Sequence, residues 1–287
     1  MNKAATVLAA LGVAAGMSGV LQAGLAPSVQ KDVQEFQGYY KKRFPQIPLS
    51  AYNDGQYVMP DAKPERASWK AQMEFPPYEL DLDTARRMWK TPLKSGKTYA
   101  DCFKGRPPAN KYPYFDEARK EIRTVELDII ECREANGEQP YRNAAGAEMA
   151  LLVMAFREHF NGKKMAVDVE TPGAVEAYND GREMYWTKRG QLNFACADCH
   201  IGNANKRLRG ELLGTSLGQT VGFPTYRTKN LDTATGPWNT VHRRYAGCME
   251  QIRAAPIPPQ HQIYRAIEFY QAVNNTGIPI KVPSLRN

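Results

Sequence analysis

The chain has 287 residues, 43% of them hydrophobic, with 20 prolines and 22 glycines, which allows two modest domains built from helices joined by long irregular loops. Its formal net charge of +8 is spread along the sequence instead of clustered, which points to small anionic substrates or acidic protein partners. No nucleic-acid-binding motif is present, so nucleic acid is excluded as a partner.

At the N-terminus, Lys3 precedes an apolar run through Val20 and a small-residue ending at Ala23. This is the pattern of a secretory signal peptide over residues 1–23, with cleavage at Ala23 and Ala26 as the second choice. No later stretch is apolar for long enough to span a bilayer, so a soluble periplasmic protein without a membrane span is expected after cleavage. Residues 24–75, including "RFPQIPLSAYNDGQYVMP", read as an irregular N-terminal extension that wraps a domain or meets a partner.

Residues 76–163 and 164–287 read as two copies of one unit. At an offset of 97, Trp89 lies over Trp186, and "YADCFKG" at 99–105 lies over "CADCHIG" at 196–202. In the second copy Cys196, Cys199 and His200 form C-x-x-C-H. Two cysteines at that spacing can form thioethers to the vinyl groups of a haem, and the histidine can ligate the iron. In the first copy Tyr99 stands for the first cysteine and Phe103 for the histidine, so that copy is expected to carry no haem. Zinc is disfavoured because no second C-x-x-C supplies the missing ligands.

Each loop is followed by two predicted helices, 115–137 and 143–162 in the first copy, 238–256 and 260–277 in the second, with Gly137, Gly162, Pro256 and Gly277 as stop signals. A loop followed by two helices is the make-up of a small cytochrome c domain. The expected fold is therefore mainly α, two cytochrome c-like domains related by an internal repeat. The middle helix of each copy holds a cysteine, Cys132 or Cys248. If the copies superpose, Cys102 and Cys132 approach each other across an emptied haem site, and a disulfide there stabilises by about 3 kcal/mol.

For the sixth ligand of the remaining haem, Met249, His242, His261, Met184 and Cys248 are all candidates, and the repeat favours Cys248. Arg244 precedes Cys248 by four residues, on one helical face, where a guanidinium can favour thiolate and clamp an oxyanion. Lys206, Arg207 and Arg209 add positive charge nearby.

The haem-free first copy, "CADCHIGNANKRLRGELLG" at 196–214 and "RRYAGCMEQIR" at 243–253 together resemble the SoxA family, the larger cytochrome c subunits of the L-cysteine S-thiosulfotransferases of bacterial thiosulfate oxidation. The resemblance covers essentially the whole mature chain. It implies one covalent haem c on Cys196 and Cys199, with His200 and Cys248 as axial ligands and Cys248 able to carry a persulfide. It implies Arg244 as a substrate-binding residue, with Cys248 and Arg244 as the catalytic pair. The implied reaction joins thiosulfate to a cysteine of a SoxYZ-like sulfur carrier protein, and the implied partners are a SoxX-like cytochrome c subunit and an electron-accepting cytochrome c. Two other readings compete. One is an electron-transfer cytochrome without substrate chemistry, with a methionine sixth ligand and an inert Cys248. The other is a tetrathionate-forming thiosulfate dehydrogenase that needs no carrier.

Overall fold

The computed structural model describes residues 24–234 and 236–286; the expected signal peptide, 1–23, lies outside them. The fold is mainly helical. Helix α1 (Pro27–Arg43) begins with Pro27 in its first turn, where the missing N–H costs nothing, and buries Val29, Val33 and Tyr40 at helical spacing. Just before it, Gly24 and Ala26 exchange backbone hydrogen bonds with Val169 (2.7 and 2.8 Å). Turns of 3-10 helix over Leu49–Val58 and Pro60–Ala62 lead into α2 (Lys63–Glu74). Residues 24–75 are thus largely helical, not irregular as the sequence suggested; the apolar spacing of α1 holds among many charged residues and is easily overlooked.

Helix α3 (Glu79–Lys90) and the single turn α4 (Tyr99–Cys102) follow, the latter closed by a capping box between Thr98 and Asp101. Strands β1 (Tyr114–Asp116) and β2 (Glu121–Arg123) form a hairpin. The helix expected from 115 therefore starts only with α5 (Val125–Ala135). The Asp116 side chain accepts from the N–H groups of Ala118 and Arg119, and Lys120 takes φ 53, which together bend the chain back. Helices α6 (Ala147–Arg157) and α7 (Pro172–Trp186) come next, then a π-type turn at Asp198–Gly202 and the short hairpin β3 (Arg207–Leu208) and β4 (Glu211–Leu212). Strands β5 (Thr225–Arg227) and β6 (Trp238–Asn239), helices α8 (Val241–Gln251) and α9 (Gln262–Asn274), and β7 (Ser284–Arg286) complete the chain, β7 pairing parallel to β5.

The main helix pairs are α3 with α6 and α7 with α9. A Cβ at Gly181 of α7 would collide with the Ala266 carbonyl of α9, so only glycine permits this approach. The local structure recurs beyond the loops seen in the sequence. Tyr114 pairs with Arg123 and Phe115 with Ile122; Thr225 pairs with Asn239 and Tyr226 with Trp238. The next residue, Thr124 or Thr240, caps the following helix, eight residues before Cys132 or Cys248.

After α6 and α9 the chain turns at Gly162 (φ 84) and Gly277 (φ 87), a left-handed conformation suited to glycine. There the two segments cross reciprocally. Gly162 N–H donates to Ile280 O and Gly277 N–H to Met165 O, each at 2.9 Å. Met165 N–H donates to Ile278 O and Ile280 N–H to Lys163 O, again at 2.9 Å.

Candidate functional site

After α7 the chain passes a tight bridge between Arg189 and Phe194 and enters the Cys196–His200 turn. Asp198 accepts from the Ala195 N–H (2.7 Å), while Asn203 donates to the Asp198 carbonyl from its side chain (2.7 Å) and its backbone (3.0 Å). These bonds fix the turn locally. His200 Nδ1 stands 3.0 Å from the Gly214 carbonyl, an acceptor only, so a proton is assigned to Nδ1 and Nε2 is left to meet the Cys248 side chain.

Helix α8 brings Arg244 and Cys248, one turn apart, to the same site, with Cys248 in reach of the His200 side chain. The site is a cavity of about 360 Å³ lined by Cys196, Cys199, His200, Arg244 and Cys248, with apolar side chains such as Phe194 and Ile267. Lys206, Arg207 and Arg209 also line it, so the positive residues singled out in the sequence do gather here. Among the alternative distal residues, Met249 also faces the cavity. His242 lies buried 3.0 Å from Glu268, His261 caps α9, and Met184 lines a separate groove.

The three free cysteines differ in acidity. Burial pushes the Cys196 thiol up to about 12, and the nearby Cys248 sulfur adds to this. Burial and Cys248 also raise Cys199. For Cys248 burial again opposes ionisation, but the Arg244 guanidinium, then His200, then Arg227 outweigh it and bring the thiol down to about 7. Arg227, on β5, is not singled out by the sequence.

 No local spacing in the sequence relates Arg227 to Cys248, and only the fold brings them together.

Two thiols, an imidazole and a sulfur of lowered pKa converge on one largely apolar cavity, and this donor set fits a covalently bound haem. The corresponding positions of the first half are filled by side chains. Trp89 stacks on Tyr99 (5.8 Å between centroids) and meets Phe103 (5.0 Å), which in turn meets Phe156 (4.7 Å). Cys102 and Cys132 are joined in a disulfide, as expected, with Cα atoms 5.8 Å apart.

No protein-family model matches the chain. It is 41% identical over 259 residues to the L-cysteine S-thiosulfotransferase subunit SoxA of Chlorobaculum thiosulfatiphilum, covering 90% of this chain and 88% of the relative. The chain belongs to the SoxA family. The SoxA of Allochromatium vinosum is 36% identical over 288 residues, with both chains covered in full. Among solved structures, SoxXA from P. pantotrophus matches with a TM-score of 0.64 at 25% identity, over 74% of this chain and 79% of that one. The chain is thus an L-cysteine S-thiosulfotransferase subunit of the SoxA family.

Proposed function

We propose that the chain is built of two cytochrome c-like domains, holds one haem c in the second (164–287), and joins thiosulfate to a cysteine of a SoxYZ-like carrier. The observation that carries this reading is the convergence of Cys196, Cys199, His200, Arg244 and Cys248 on one cavity. Cys196 and Cys199 would attach the haem, and His200 and Cys248 would hold its iron. The aromatic filling and the disulfide of the first domain (76–163) favour a single haem. Pairing of Gly24 and Ala26 with Val169 favours a mature chain that starts after Ala23, in keeping with export to the periplasm.

Joining thiosulfate to a thiol forms one S–S bond and releases one proton and two electrons. A haem held there would supply an acceptor for single electrons, with an external cytochrome c as their destination. Arg244 would hold the sulfonate oxygens through paired hydrogen bonds and keep the Cys248 sulfur anionic, the form that can carry an extra sulfur atom as a persulfide. Apolar walls around the cavity exclude water and strengthen both contacts. A SoxX-like cytochrome c subunit is assigned as the partner, by analogy with the SoxXA complex that the fold resembles.

The test combines intact mass with product analysis. One haem per chain is expected, retained in Cys248→Ser, which should fail to join thiosulfate to the carrier. Native turnover in that variant would show that Cys248 takes no part in the reaction, failure of the haem-loaded native protein to join thiosulfate to the carrier would favour a plain electron carrier, and tetrathionate formed without the carrier would favour a thiosulfate dehydrogenase.

A further inference from the structure

Helix α1 lies at the back of the Cys196–His200 turn, about 160 residues away in sequence. Tyr40, fully buried, donates its hydroxyl hydrogen to the His200 carbonyl (2.7 Å) and accepts from the Ser216 N–H (3.1 Å). Ser216 N–H also reaches the His200 carbonyl (3.0 Å). One turn on, the Arg43 guanidinium spans the carbonyls of Ile201 and Ala204, the latter at 2.9 Å. The same loop receives His200 Nδ1 at Gly214. The His200 backbone and ring are therefore held from two directions, by α1 and by residues 214–216.

We propose that Tyr40 and Arg43 are positioning residues for His200, setting the angle at which its imidazole faces the cavity. This rests on the reading of His200 as an iron ligand. The physical reason is that a π-type turn has widened hydrogen bonding and leaves carbonyls in need of outside donors. Burial keeps the Tyr40 phenol protonated at all working pH, so it is a permanent donor. A ring held at Nδ1 alone could rotate about that bond. Fixing the main-chain carbonyl of the same residue removes this freedom.

A control lies in the same aromatic cluster. Tyr52 has its ring centroid 6.0 Å from that of Tyr40 and is equally buried, but its hydroxyl has no hydrogen-bond partner among the described residues. The experiment uses the haem-loaded protein purified from the periplasm, compared by electron paramagnetic resonance and by reductive titration. Tyr40→Phe is expected to keep covalent haem but broaden and shift the low-spin signal and move the midpoint potential, while Tyr52→Phe leaves both unchanged. Arg43→Lys, which loses the two-carbonyl fork but keeps the charge, should act in the same direction and serves if Tyr40→Phe fails to accumulate. Native signal and potential in the Tyr40 and Arg43 variants would overturn the proposal. So would equal effects from Tyr40→Phe and Tyr52→Phe, which would reduce Tyr40 to a packing residue. A native protein without histidine-ligated haem would instead sink the functional reading itself, and this proposal with it.

Discussion

At the scale of single residues, the site separates its cysteines by electrostatics. Cys196 and Cys199 are held as neutral thiols by burial, while Cys248 faces Arg244 and is brought to about 7. Removing a cation beside an anionic sulfur raises the pH at which that sulfur takes up a proton. Arg244→Gln is therefore expected to move the loss of thiolate absorption to higher pH in an acid titration. Arg227→Gln should act in the same direction but less, because Arg244 makes the larger contribution. Thiosulfate use should fall in Arg244→Gln by roughly 2–5 kcal/mol of transition-state stabilisation if a buried charge pair is broken. An unchanged titration in Arg244→Gln would mean that the guanidinium does not act on the sulfur.

At the scale of elements, the loop repeat and the cysteine positions were readable because chemistry fixed their spacing. The rest was less so. The segment 114–123 carries apolar residues at spacings compatible with a helix, but the Asp116 turn and the Thr124 cap make a hairpin followed by a shorter helix. Helix α1 and Arg227 reach the site through contacts between distant parts of the chain, which leave no local pattern. Insertions also hide the repeat: the loops match at an offset of 97, whereas Thr124 and Thr240, which cap equivalent helices, stand farther apart. The Cys102–Cys132 bridge spans 30 residues, and closing a loop of that length stabilises by about 3–4 kcal/mol through the unfolded chain. Replacing both cysteines by Ser should lower the urea midpoint accordingly and leave haem content unchanged. Loss of haem from that variant would show that the two halves do not hold their contents independently.

At the scale of the whole molecule, the two halves meet over a buried set of ionisable groups. Glu126 comes from α5, Arg157 from α6, His242 from α8 and Glu268 from α9, and all four are buried. Gln260 donates its N–H to His242 Nδ1 (3.0 Å) and its side-chain oxygen accepts from Thr124 (2.6 Å), linking the cap of α5 to the first turn of α8. His242 Nε2 lies 3.0 Å from Glu268 without the alignment of a hydrogen bond. Burial, helped by the Glu268 charge and opposed by His242 and Arg157, lifts the Glu126 carboxyl from 4.5 to about 7. Between those values the folded chain keeps a proton that the unfolded chain has released, so this group's contribution to stability is present in full below about 4.5 and is lost as pH rises through 7. Glu126→Gln cannot ionise and escapes that loss. Urea unfolding at pH 5 and pH 8 should therefore show the variant gaining on the native protein at the higher pH. A stability difference that is the same at both would show that Glu126 stays ionised in the fold, its charge balanced by Arg157 and His242.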